Sequence, residues 1–161
     1  MDMHDSAIFR SLRRNDEFCR HFVLTFMDML NNNFSVANAE KILSKYGYSL
    51  SWTDHYFEKR PEWAVKHLAE EFGLTGTLET VMITTGNPEM GHIVVNTSQI
   101  ELSDGSWSGQ YFTDYPITVT AIPNDGYKFL GWKGDADTTA DSVTVCVDGG
   151  VTLEAVFAGI E

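Results

Sequence analysis

The sequence predicts an α+β protein: a helical unit over residues 1–75, then a small all-β module, β-grasp or sandwich-like, over residues 76–161. Three observations carry this. Up to Phe72 the apolar residues recur at helical spacing, and after Thr75-Gly76-Thr77 the period switches to two. Residues 116–134, PITVTAIPNDGYKFLGWKG, then read as two strands with a turn between them. In the first strand Ile117, Val119 and Ala121 alternate with Thr118, Thr120 and Ile122, so the two sets face opposite sides of a sheet. Pro123-Asn124-Asp125-Gly126 breaks the strand with residues that fix or tolerate turn backbones. Tyr127, Phe129 and Gly131 form one parity of the second strand, and Lys128, Leu130 and Trp132 the other. Rings of this size anchor a small core, and Gly131 leaves room for the indole of Trp132 against neighbouring backbone.

The helices follow from N-terminus to C-terminus. Residues 6–13 make a short one, capped by Ser6, with Ile8, Phe9 and Leu12 on one face. Asn15 caps a second, with Asp16 and Glu17 in its first turn, running to about Met29 on a stripe of Phe18, Phe22, Phe26, Met29 and Leu30. The triplet Asn31-Asn32-Asn33 ends it. A third helix runs from Ser35 to about Tyr46 with Gly47 just past its end. Trp52, Tyr56 and Phe57 form an irregular helical stretch, and Pro61 opens the last helix, whose inner stripe is Val65, Leu68, Ala69 and Phe72. With its own aromatic stripe this unit is expected to keep much of its helicity if the β core is damaged.

The β half reads as strands over residues 78–85, 92–96, 107–112, 142–147 and 151–157, besides the two already described. Gly86-Asn87-Pro88 turns the first into the second as its partner, and Asp148-Gly149-Gly150 joins the last two as a hairpin.

Composition excludes several functions. A hydrophobic fraction of 43% is that of a globular chain rather than a disordered one. The net charge is −12, and residues 77–161 hold twelve Asp/Glu against two Lys/Arg, a surface that repels nucleic acid. No stretch is long and apolar enough to insert in a membrane, and the mixed charges of residues 1–20 form no signal peptide. Cys19 and Cys146, far apart among apolar neighbours, are expected to pack as small buried side chains.

Catalytic residues are expected to be none. His21, His55, His67 and His92 have no metal spacing, no serine sits in a Gly-x-Ser-x-Gly elbow, and no glycine loop is followed by the lysine of a phosphate site, so no cofactor is expected. Asp135, Asp137 and Asp141, with Asp125, are weak calcium candidates lacking the glycine and glutamate of an EF-hand loop. Trp107, Tyr111 and Trp132 are either core residues or an aromatic platform for a sugar.

Two resemblances add to this. Gly126-Tyr127-x-Phe129-x-Gly131-Trp132-x-Gly134, between Val119-x-Ala121-x-Pro123 and Val151-x-Leu153-x-Ala155-x-Phe157, resembles the divergent InlB B-repeat, a small extracellular bacterial β domain, over about residues 80–157. That resemblance implies a surface module that spaces or binds. Ile8-Phe9-x-x-Leu12 with Asn15-x-Glu17-Phe18-x-x-x-Phe22, and Tyr56-Phe57-x-x-Arg60-Pro61-Glu62 leading to Leu68 and Phe72-Gly73-Leu74, resemble the helical tail of the CotH kinase (spore coat protein H) family over residues 6–75. In that family the nucleotide-binding lobe and catalytic acids precede the tail, and nothing here matches them. The expectation is a non-catalytic accessory or cell-surface interaction module, the C-terminal portion of a CotH-kinase-like protein. As part of a longer exported protein it would lie outside the cell or on its surface, its partner a protein or a cell-surface carbohydrate. The alternatives are a carbohydrate-binding module built on the β-domain aromatics, or an enzyme fragment completing a kinase lobe.

Overall fold

The computed structural model describes residues 7–34, 36–49 and 54–160. Ser6, expected to cap the first helix, Ser35, expected to start the third, and Trp52 of the irregular helical stretch lie outside them. The architecture is α+β: four α-helices, then eight strands in two four-stranded sheets, with a 3-10 turn at Pro88–Met90 between the first two strands, among the described residues. The helices are α1 (Ala7–Leu12), α2 (Asp16–Asn32), α3 (Val36–Lys45) and α4 (Asp54–Phe72). The strands are β1 (Leu78–Thr85), β2 (Gly91–Val95), β3 (Ser98–Ile100), β4 (Ser106–Phe112), β5 (Ile117–Pro123), β6 (Tyr127–Gly134), β7 (Ser142–Val145) and β8 (Val151–Gly159).

Asn15 caps α2 by accepting a hydrogen bond from Phe18 N at 2.9 Å. The helix outruns its expected end by a turn, because Asn31 and Asn32 are held by the sheet rather than by their own propensity for a turn. Two faces of α2 are apolar. One places Phe22 against Phe72 with ring centroids 4.9 Å apart and against Phe9 at 6.0 Å. The other buries Val23, Leu24, Met27 and Asp28 against the β half, while Met29 of the expected stripe is half-exposed. Gly47 takes the left-handed conformation after α3. Pro61 does not open α4. It lies inside that helix, where it lacks one backbone donor, so the helix begins seven residues earlier than a proline-start rule places it.

The sheets have strand orders β4-β1-β8-β6 and β3-β2-β5-β7. Alternate residues of both, among them Val81, Ile83, Ile93, Val119, Leu153 and Phe157, join Val23, Leu24, Met27 and Leu68 of the helices in one core. Three expected pairings do not form. The chain between β1 and β2, between β5 and β6, and between β7 and β8 passes from one sheet to the other. β5 instead pairs with β2 and β7, β6 pairs with β8, and β1 lies between β4 and β8, parallel to β8. Turn residues reverse a chain equally well within a sheet and between sheets, so Asn124-Asp125-Gly126 could not tell the two apart.

The alternation along β6 is broken as well. Phe129 pairs with Phe157 and Gly131 with Val156, so Leu130 is an extra residue. This bulge leaves Leu130 46% exposed and turns Trp132 onto the face of Phe129, 1% exposed, with the two rings edge-on at 5.3 Å. Gly131 sits at φ +150°, and a Cβ there would come 2.8 Å from Thr138 O, the atom that accepts from Trp132 N at 2.8 Å. Cys146, just past β7, is exposed rather than buried, since the neighbouring Val147 takes the inward position; Cys19 is half-buried, its Sγ donating to Arg13 O at 3.3 Å.

Candidate functional site

The residues singled out by sequence do not come together. Trp107 and Tyr111 lie on β4 and Trp132 on β6, with β1 and β8 between those strands. Tyr111 and Trp132 are inside the core, and Trp107 alone of the three keeps a partly exposed ring. Asp135 is tied to β8: its Oδ2 accepts from Thr152 N at 2.6 Å and its own N donates to Thr152 O at 2.9 Å. Among the described residues no three His, Cys, Asp or Glu side chains gather to hold a metal ion.

The structure instead concentrates its polar chemistry where α2 crosses the edge strands β3 and β4. Asp28 is fully buried there. Its Oδ1 accepts from Tyr111 Oη at 2.7 Å and from Asn96 Nδ2 at 2.9 Å; its Oδ2 accepts from Thr97 Oγ1 at 3.1 Å and Thr97 N at 3.3 Å. Asn96 presents its amide from a left-handed position, φ 49°, in the turn between β2 and β3, and its Oδ1 accepts from Thr118 N. Burial raises the Asp28 carboxyl above its ordinary range, against the pull of the four donors. Burial and the adjacent carboxylate likewise push the Tyr111 hydroxyl up. Asp28 thus latches the helical segment to the sandwich, and a carboxylate so enclosed has no route to a substrate.

One turn on, Asn31 completes the open edge of β4: its Nδ2 donates to Gln110 O at 3.0 Å and Gln110 N donates to its Oδ1 at 2.9 Å. A single amide thereby occupies one pair of the backbone groups through which another strand would add to the sheet. Asn31→Ala is expected to cost about 1–2 kcal/mol of stability and to induce concentration-dependent self-association. Denaturant titration and sedimentation velocity across a concentration series read the two effects; a variant that stays monomeric would show that the edge needs no cover.

Beside this edge lies a cleft of about 430 Å³ under α3, whose lining includes Asn33, Lys41, Lys45, Gln99, Glu101 and Trp107. Trp107 Nε1 donates to Asn32 Oδ1 at 3.0 Å, which fixes the tilt of the indole in the cleft wall. A larger groove of about 930 Å³ between α1 and α2 is lined in part by Ile8, Leu12 and Phe18. Sequence reasoning missed Asp28, Asn31, Asn32, Lys41, Lys45 and Gln99. For Asp28 a signal existed: a carboxylate directly after Val23, Leu24 and Met27 on a helix apolar on both faces marks a buried polar contact. For the others none did, because each acts through a strand distant in sequence.

Residues 93–161 match the family model of the divergent InlB B-repeat domain. The match begins inside β2 and reaches through β8, leaving out β1 and the helices, although β1 lies between β4 and β8 in their sheet. No curated protein matches the chain. Among the described residues no helix is long and apolar enough to cross a membrane.

Proposed function

We propose that this chain is a non-catalytic surface interaction module, carried at the C-terminal end of a CotH-kinase-like protein and displayed outside the cell as part of a longer exported protein. The observation that carries this reading is the match of residues 93–161 to the divergent InlB B-repeat domain, a type typically associated with cell surfaces and binding. The CotH parentage rests on the motif resemblance of residues 6–75 alone. The acidic surface of the β half suits an exposed, soluble face.

The test is retention of the fluorescently labelled chain on purified bacterial cell-wall preparations. Saturable retention, competed by unlabelled chain, is the expected result; no retention above that of a charge-matched control protein overturns the binding role. Phosphate transfer from ATP to the chain itself or to added casein would overturn the non-catalytic part.

A further inference from the structure

We infer that the cleft between α3 and the edge strands β3 and β4 binds an acidic oligosaccharide, one bearing carboxylates. This names the ligand class for the surface-binding role proposed above and rests on it. At about 430 Å³ the cleft has the capacity of a small-ligand site, typically roughly 300–1,000 Å³.

Its walls combine three kinds of group. Asn33 and Gln99 carry side-chain amides with no hydrogen-bond partner among the described residues. Each amide both donates and accepts, which matches the paired hydroxyls of a sugar ring. Trp107 contributes a ring whose orientation the Asn32 bond sets, and the C–H face of a sugar packs on such a surface. Lys41 and Lys45 stand one turn apart on α3, both exposed, with no ion pair or side-chain hydrogen bond among the described residues.

The charge is the telling feature. The chain carries −12, yet this cleft has two lysines against the single carboxylate of Glu101, a local excess of one positive charge. A cationic mouth on an acidic surface steers an anion to one place and repels it elsewhere. An extended peptide is the poorer fit, since Asn31 already holds the Gln110 backbone groups with which it would pair.

The test titrates the full chain with trigalacturonate and with its neutral counterpart galactotriose, by calorimetry and by amide and indole chemical shifts. Expected are binding of trigalacturonate with shifts centred on Asn33, Gln99 and the Trp107 indole, and binding of galactotriose at least about tenfold weaker. The double variant Lys41→Gln/Lys45→Gln should lose about tenfold or more in affinity for trigalacturonate while keeping the thermal midpoint of the parent. No binding of trigalacturonate at millimolar concentration, shifts centred elsewhere, or an unaltered affinity in the double variant would each overturn the inference. Equally tight binding of hexaglutamate at the same residues would overturn the sugar class. If these results fail while the labelled chain still coats cell walls, the ligand assignment alone falls; if retention is also absent, the surface-binding reading falls with it.

Discussion

Trp132→Ala will lower the unfolding free energy by roughly 3–5 kcal/mol, a large share of the roughly 5–15 kcal/mol that holds a domain of this kind together. Trp132 is the largest of the fully buried side chains among the described residues, and it meets Phe129 edge-on. The bulge at Leu130 and the close approach of the Thr138 backbone to Gly131 fix the chain around it, so a cavity left by the indole has little freedom to collapse. Trp132→Phe should cost much less than alanine. The indole Nε1 has no hydrogen-bond partner among the described residues, so removing it leaves no acceptor there orphaned. The helical segment will not stay behind, because Val23, Leu24, Met27 and Leu68 belong to the same core as the strands. Far-ultraviolet circular dichroism and tryptophan fluorescence should therefore trace one coincident denaturant transition, shifted together in the variant. An unchanged midpoint would show that the indole contributes nothing to the core.

The second large effect is expected at Asp28. In Asp28→Ala, Tyr111 loses its acceptor inside the core, and Asn96 and Thr97 lose theirs at its part-buried margin. Each orphaned donor costs roughly 1–3 kcal/mol, partly offset because a buried charge is also removed, for a net loss of about 2–4 kcal/mol. A double-mutant cycle with Tyr111→Phe should show strong coupling, since both variants break the same bond. The pH dependence has a definite sign. Burial lifts the Asp28 carboxyl above its ordinary value of 3.8, so the folded chain binds a proton at a pH where the unfolded chain has already released it. The contribution of this group to stability therefore falls as pH rises through the raised value and is recovered on acidification. Asp28→Asn should abolish that slope; parallel stability curves for parent and variant from about pH 4 to pH 7 would show that the carboxyl titrates as if exposed.

How far the fold could be read from sequence depended on the range of the forces at work. Helical and strand periods are local, and β1 was legible to the residue because Leu78–Thr85 carries its own alternation and a turn at its end. Strand partners were not legible, since Asn124, Asp125 and Gly126 specify a reversal without naming the sheet that receives the next strand. β3, three residues long, is too short to show a period. Pro61 misled because the local cost of a proline inside a helix is outweighed by packing that the sequence does not display. The binding-cleft candidates stayed hidden for a related reason. Gln99 and Trp107 become neighbours of Lys41 and Lys45 only once α2 has been fastened across the edge strands by Asp28 and Asn31.

The parallel pairing of β1 with β8 has a mechanical consequence. Val81 faces Val151 and Thr85 faces Ala155, so the two strands run side by side in one direction near opposite ends of the sandwich chain. Tension applied at the start of β1 and the end of β8 pulls them along their length in opposite senses. The hydrogen bonds between them are then loaded together in shear instead of being unzipped singly, and the sandwich resists extension until that whole row fails. Force applied between those two points runs through this row, with the bulged strand β6 lying outside the line of load.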